Sequence, residues 1–259
     1  MSFVKKIATT TSICATIYTA VSFSVQANPA EVRDHIDSAI AAPMRPVADR
    51  ERDATRKPAA VLRFMGVKPG QAIIDMFSGG GYYSEILSYA VGPTGHVTAH
   101  NNGAYLSFAK EALETRYVDN RLPNVGKLLA EANDLALEPG KYDLAWMALT
   151  YHDFYYSNEG WPKVDVPHLL KVVYNGLKPG GVVALIDHRA LAGSGHAVAQ
   201  TLHRIDPAIV IKEMTTAGFV LDGESDLLAN SNDPHDIPMW DPKIRGRTDR
   251  FVMRFKKPD

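Results

Sequence analysis

Two short segments constrain this chain more than any other part of it. Ile73-Ile-Asp-Met-Phe-Ser-Gly-Gly-Gly81 is an apolar run that ends in an acid, followed by a glycine-rich turn and the helical stretch Tyr82–Ala90. Strand, tight turn and helix in that order aim helix N-terminal N–H groups and bare glycine backbone at whatever lies at the strand's carboxyl end. Leu177-Lys-Pro-Gly-Gly-Val-Val-Ala-Leu-Ile-Asp187 is a helix stop, a turn and a second buried strand ending in an acid. A turn needs glycine for positive φ whatever its function, so the glycine run alone says little. The pair, with Asp75 and Gly181 standing 106 positions apart, says much more.

Strand and helix patterns alternate around these segments. Ala72–Met76, Gly95–His100, Lys127–Ala130, Tyr142–Leu149 and Val182–Asp187 read as strands one to five. Ala59–Met65, Tyr82–Ala90, Leu106–Arg116, Val166–Gly176 and Pro207–Ala217 read as helices. Such alternation predicts a parallel, doubly wound sheet. Phe219–Asp226 and Arg250–Phe255 are joined only by the polar loop Ala229–Thr248, so they are expected to pair antiparallel.

The first 27 residues read as a secretory signal peptide. Lys5 and Lys6 form a basic stub, Ile7–Val25 is moderately apolar, and Val25-Gln26-Ala27 places small residues for cleavage after Ala27. Removal leaves 232 residues, enough for one α/β domain, with three more acids than bases. No basic excess points to nucleic acid, and no stable membrane association is expected after cleavage. Cys14, the only cysteine, leaves with the signal, which removes thiol, disulfide and thiolate-metal chemistry. Residues 28–57 form a charged arm in which Arg45, Arg50, Arg52, Arg56 and Lys57 interleave with Asp49, Glu51 and Asp53. It reads as a helix with ion pairs three and four residues apart. Residues 58–259 make up the main domain.

The two strand motifs, with Glu213-Met-Thr-Thr-Ala-Gly-Phe219, resemble class I S-adenosylmethionine-dependent methyltransferases over about Lys57 to Lys257. The likeness extends to bacterial proteins of that class that carry signal peptides, through Arg245-Gly-Arg-Thr-Asp-Arg-Phe251 and the Arg45–Pro58 arm. It implies a Rossmann-like seven-stranded sheet of order 3-2-1-4-5-7-6 with an antiparallel final strand, and S-adenosylmethionine as cofactor. The class motif Asp-x-Gly-x-Gly-x-Gly places Asp75, Gly79 and Gly81 on its fixed points, with Gly80 between the last two, as cofactor contacts. Phe77 falls on the first glycine; the turn is expected to adjust and the ring to pack against a neighbouring helix. Strand two of the class ends in an acid that accepts the ribose hydroxyls, and here Asn101 or His100 holds that place. Asp134 matches the adenine-side acid, although a turn cap explains it equally well.

Tyr151-His-Asp-Phe-Tyr-Tyr156 follows strand four and should line the ligand crevice. His152 is the candidate base for an O–H or N–H nucleophile and Asp153 its orienting partner. Asp187 and His188 form a second carboxyl-end pair, and His203 and Asp206 are candidates for the same mouth. No His-x₃-His or similar spacing falls on a predicted helix, so no metal site is expected. Gly-x-Ser-x-Gly and Gly-Lys-Ser/Thr are also absent, which sets aside hydrolase and P-loop readings. Trp240, Met239 and Ile237 either wall an acceptor pocket or pin their loop to the core.

The expectation is therefore an exported, periplasmic methyltransferase acting on a small-molecule acceptor. A non-catalytic exported binding protein of the same fold is the alternative, because Phe77, the missing strand-two acid and export each depart from the class.

Overall fold

The computed structural model describes residues 29–259, so the segment expected to be a signal peptide lies outside the described residues. The chain runs α1 (Pro29–Ile40), α2 (Val47–Arg56), α3 (Pro58–Met65), β1 (Ala72–Met76), α4 (Tyr82–Val91), β2 (His96–Asn101) and α5 (Gly103–Arg116). It continues β3 (Val125–Leu129), β4 (Tyr142–Ala148), α6 (Val166–Gly176), β5 (Leu177–His188), α7 (Ala197–Leu202), α8 (Pro207–Thr216), β6 (Val220–Ser225) and β7 (Arg250–Lys256). The seven strands form one sheet of order β3-β2-β1-β4-β5-β7-β6. β7 is antiparallel to both β5 and β6, while the five strands on the other side are mutually parallel. Fold and strand order are those implied by the sequence.

Period-two alternation divides the core between the two faces of the sheet. Ile73, Leu144, Trp146, Ala184 and Ile186 face Ile36 of α1, Val61 and Leu62 of α3, and Ile86 and Leu87 of α4. Ile74, Met76, Ala145, Met147, Val183 and Leu185 face Leu169 and Val173 of α6 and Val210 and Met214 of α8. Each of these side chains is essentially buried. The central strands β1, β4 and β5 are thus apolar on both sides, as a sheet with two helical layers requires.

Three features differ from the sequence reading. β5 begins at Leu177, because the Pro179-Gly-Gly turn is absorbed as an irregularity between the Tyr142↔Leu177 and Leu144↔Val182 pairs. The short helix α7 escaped notice because its single turn and a half is too short to show a period. The arm is two helices, broken at 41–46 around Pro43 and Pro46. Its charges also reach other elements: Asp49 pairs with Arg116 of α5 at 2.8 Å, and Asp53 accepts from the Tyr82 hydroxyl of α4 at 2.6 Å. Within the arm, Arg45 grips Asp53 through two 2.7 Å bonds, and Arg52 pairs with Asp49. No helix among the described residues is long and apolar enough to cross a membrane.

Candidate active site

The carboxyl ends of β1, β4 and β5 lie side by side at the centre of the sheet, so the turns that follow them share one crevice. β1 leaves the sheet through Phe77, whose φ of +50° is left-handed. The turn has therefore kept the backbone that glycine would have there, at a cost of about 1–2 kcal/mol for a bulky residue. The ring offsets this by packing, 4% exposed, among His100, Tyr105 of α5 and Phe154, with centroids at 4.7, 5.3 and 5.5 Å. Of the two expectations for Phe77, the packing is met and the adjusted turn is not.

A Cβ on Gly79 (φ +56°) would make only an ordinary contact, 3.9 Å from Cδ1 of Tyr105, and both Gly79 and Gly80 line a cavity. Gly81 does not line it. A Cβ on Gly81 would sit 2.7 Å from Cδ of Arg116, so this glycine makes room for a buried arginine. Arg116 in turn donates from Nε to the Gly80 carbonyl and pairs with Glu85 and Asp49. A cofactor contact at Gly81 is therefore corrected to a packing role.

Asn101 is also placed differently from expectation. Its Oδ1 accepts the Gly79 N–H at 2.9 Å, and its Nδ2 donates to Ser78 Oγ and the Gly79 carbonyl at 3.1 Å each. At 5% exposure it ties the glycine turn to β2, with both Nδ2 hydrogens and one lone pair of Oδ1 engaged in doing so. His100 is buried too. Its Nδ1 accepts from the Phe77 N–H, and Nε2 faces the Ala130 carbonyl at 3.0 Å. Burial holds it neutral, with a pKa down to about 4. Asp134 closes a single 3₁₀ turn, Ala132–Asp134, and is exposed outside the cavity lining. No side-chain cap hydrogen bond forms at this turn.

The cavity itself, about 180 Å³, is lined by Asp75, Phe77, Ser78, Gly79, Gly80, Tyr82, Tyr83, Tyr105 and Ala148–Thr150, with Arg52 and Arg56 of the arm over it. Asp75 is 2% exposed, accepts from Ser84 Oγ at 2.6 Å, and is pushed up to about 7 by burial. Arg56 stands over the Tyr82 ring at 4.4 Å with no carboxylate in ion-pair range among the described residues. Burial, and secondarily its neighbour Arg52, makes its charge less favourable than usual. Thr150 contributes a buried hydroxyl without a partner. Leu149, like Phe77, has a left-handed backbone (φ +63°), so both strands flanking the cavity end in a strained turn. A carboxylate, a guanidinium without an anion and open glycine backbone suit an amino-acid zwitterion. Arg52 and Arg56 are site residues the sequence reading missed. Their signal was a pair of arginines four apart in an arm that otherwise alternates its charges.

Beyond Tyr105 lies a second cluster. The Tyr105 hydroxyl donates to Asp153 Oδ2 at 2.6 Å. His152 is 1% exposed, with Nδ1 2.6 Å from Asp187 Oδ1 and Nε2 3.3 Å from Asp153 Oδ1. Burial alone would lower its pKa, but Asp153 and Asp187 outweigh burial and raise it to about 9. At neutral pH His152 is thus a buried cation between two carboxylates, and the role of general base does not fit it. Asp153 stays ionised because His152, His203 and Tyr105 overcome the cost of burying it. His203, at the end of α7, brings Nδ1 within 3.2 Å of Asp153 Oδ1 and stands beside Tyr156 and the half-exposed Trp240. His188 is buried against Thr248, with Nδ1 2.6 Å from Oγ1, and desolvation holds it neutral. Asp206 caps α8 through the Ala208 N–H at 2.9 Å and does not join the cluster. The 229–248 loop is pinned by the buried Arg204–Asp233 pair at 2.9 Å and by Arg204 donating to the Ile237 carbonyl, which leaves Trp240 at the mouth.

The topology and the glycine turn at the β1 crevice define the class I S-adenosylmethionine-dependent methyltransferase fold. Solved structures agree. An S-adenosylmethionine-dependent methyltransferase from Aquifex aeolicus superposes with a TM-score of 0.57 at 21% identity, covering 85% of this chain and 97% of that one. One from Mesorhizobium loti gives 0.53 at 15%, covering 79% and 99%. The sequence model of the ubiE/COQ5 methyltransferase family matches residues 52–204, and the chain belongs to that family. Among its relatives are a 2-phytyl-1,4-naphtoquinone methyltransferase of Nostoc sp., 28% identical over 130 residues, and a demethylmenaquinone methyltransferase of Staphylococcus aureus, 30% identical over 131. Each alignment covers 49% of this chain, and 52% and 47% of the respective relative, so the chain spans about half the length of the relatives it matches.

Proposed function

We propose that this protein binds S-adenosylmethionine in the cavity between β1 and β4 and methylates a small aromatic acceptor at the neighbouring mouth. The observation that carries the reading is the lining of one cavity by Asp75, Arg56 and the Gly79–Gly80 turn, which complements an ammonium and a carboxylate together. Arg52 and Arg56 would take the carboxylate, Asp75 the ammonium, and the rings of Tyr82, Tyr83 and Tyr105 would lie beside the sulfonium. At about 180 Å³ the cavity falls below the usual 300–1,000 Å³ of ligand sites, so helix α2 has to shift outward for a whole nucleoside to enter. Bound S-adenosylmethionine would supply an activated methyl group, which the acceptor would take from sulfur with release of S-adenosylhomocysteine and of the acceptor's proton to solvent.

The protein's own contribution is alignment and exclusion of water. Tyr105 lines the cavity and also holds Asp153, so cofactor site and acceptor mouth share one side chain. Tyr156, Trp161 and Trp240 gather aromatic surface around His203, which supports a flat ring as acceptor. The naphthoquinone and menaquinone names of the relatives support the same class.

Calorimetry on the purified protein tests the reading. S-adenosylhomocysteine should bind, and Arg56→Ala should weaken it about tenfold or more, the worth of a charged hydrogen bond. Failure of the wild type to bind either S-adenosylmethionine or its product at about 1 mM would defeat it. Binding without transfer to any quinol in a labelled-methyl screen would favour the non-catalytic binding protein, which the tie of Asn101 to the glycine turn also supports.

The basic stub, apolar run and Val25-Gln26-Ala27 site support export to the periplasm. Amino-terminal sequencing of the native protein should begin at Asn28; a full-length chain recovered from the cytosol would contradict it.

A further inference from the structure

The turn after β4 and the end of α7 deliver three donors to one small volume. His152 Nε2, Asp153 Oδ1 and His203 Nδ1 all lie within 4.8 Å of one another. Asp153 Oδ1 stands 3.3 Å from the first nitrogen and 3.2 Å from the second. Two donors bound about 2.1 Å from one ion, at about 100° to each other, stand about 3.2 Å apart, so this is the spacing of adjacent ligands.

Each donor is held from behind. His152 gives its other ring nitrogen to Asp187 at 2.6 Å, and the second oxygen of Asp187 accepts the His152 backbone N–H at 2.9 Å. A ring backed by a carboxylate in this way is the usual support of a metal-bound histidine. Asp153 is fixed through Oδ2 by Tyr105. His203 is fixed by Tyr156 and Trp240, and its left-handed backbone (φ +49°) is a strain that persists only where the surroundings impose it.

Hydrogen bonding among these groups does not account for the cluster. Asp153 is 8% exposed, yet its Oδ1 has no hydrogen-bond partner, because neither imidazole approaches it in bonding geometry. A buried carboxylate oxygen aimed between two ring nitrogens and hydrogen-bonded to neither is placed to share one ion with both.

We infer that His152 Nε2, Asp153 Oδ1 and His203 Nδ1 form a binding site for one divalent transition-metal ion, with a coordination position left for an oxygen of the acceptor. Two imidazoles and one carboxylate suit zinc, iron(II) or cobalt(II) better than magnesium or calcium, which prefer all-oxygen shells. His203 is the partly exposed member, so the open side faces the mouth beside Trp240. The site stands independently of the proposed methylation; only its use there rests on that reading. In that use the ion would lower the pKa of a bound acceptor hydroxyl, whose proton leaves to solvent before its oxygen bonds to the methyl carbon.

The test is a cobalt(II) titration of the EDTA-treated, dialysed full-length protein, followed by visible absorption and by quenching of Trp240 fluorescence. One equivalent should bind, with His203→Ala and Asp153→Asn each weakening binding about 100-fold or more and Asp187→Asn about 10- to 100-fold. Circular dichroism and S-adenosylhomocysteine binding should remain those of wild type in His203→Ala. A folded wild type that takes up no cobalt at about 1 mM, or a His203→Ala variant that binds it as tightly as wild type, would overturn the site. Cobalt binding by a protein that does not bind S-adenosylhomocysteine would uphold the site while removing the cofactor reading.

Discussion

Asp49 in the amino-terminal arm and Arg116 at the end of α5 form a 2.8 Å ion pair in which each side chain is only 5% exposed. Arg116 also holds the Gly80 carbonyl, so the arm is coupled through one guanidinium to the turn that lines the cofactor cavity. Asp49→Ala should leave Arg116 only partly compensated by Glu85 and cost about 2 kcal/mol. Urea unfolding measures that loss. Calorimetry should show weaker S-adenosylhomocysteine binding as well, because α2 carries Arg52 and Arg56. Stability lost with unchanged affinity would show that the coupling stops at the arm.

Gly79 and Gly81 should respond differently to the same substitution. Gly79→Ala places a methyl at ordinary contact distance, 3.9 Å from Tyr105, at φ +56° and should cost about 1 kcal/mol of backbone strain while weakening cofactor binding. Gly81→Ala adds a clash with Arg116 to comparable strain and should destabilise by more than about 2 kcal/mol, with loss of binding following loss of structure. Thermal melting of the two variants side by side decides this. Equal stabilities would contradict the packing role of Gly81.

Phe77→Gly sets two effects against each other. Relieving a left-handed phenylalanine should return about 1 kcal/mol, while removing a buried ring should cost about 3–5 kcal/mol. Packing should win, with a net loss of about 2–4 kcal/mol. The enlarged cavity should bind S-adenosylhomocysteine at least as tightly as wild type. A stabilised variant would show that strain dominates at this turn.

Asp75, held near pH 7 by burial, predicts a pH-dependent site. A carboxylate is needed to accept an ammonium, so cofactor affinity should rise between about pH 6 and 8 and flatten in Asp75→Asn. Stability should run the other way. The folded protein keeps this proton more tightly than the unfolded chain, so the Asp75 contribution falls as pH rises from about 4 through 7. His100, with its folded pKa down to about 4, contributes the opposite slope, gaining stability up to about pH 6.5. The two nearly cancel in wild type, so denaturation of Asp75→Asn should expose a steeper rise between pH 4 and 6.5. A variant whose profile matches wild type would contradict the raised pKa.

His152→Ala should act on stability before it acts on rate. It leaves Asp153 and Asp187 as buried carboxylates without the cation between them, at a cost of about 3–5 kcal/mol. His152→Gln, which keeps a donor toward Asp187, should recover part of this in urea unfolding. Full stability in His152→Ala would mean that the cluster is held together by something other than this ion pair.

The sheet, its strand order and the crevice were legible in the sequence because each rests on local pattern. Strand runs such as Ile73–Met76 and Val182–Asp187 are apolar on both faces, and the turns between elements carry their own glycines and prolines. Asp75, Gly79 and Gly80 could be placed for the same reason: strand, turn and helix are contiguous, so position in the chain is position in space. Asn101, Gly81 and His152 could not. Each has a partner 22 to 35 residues away, and what it does depends on which neighbour claims its polar atoms or its missing Cβ first. Asn101 is taken by the Gly79 turn, Gly81 makes way for Arg116, and His152 is charged because Asp153 and Asp187 converge on it. The meeting of His203 with His152 and Asp153 shows no spacing in the sequence at all. It exists because α7 lays the end of one loop over the turn after β4, and only the packing of the whole chain brings those atoms within 4.8 Å.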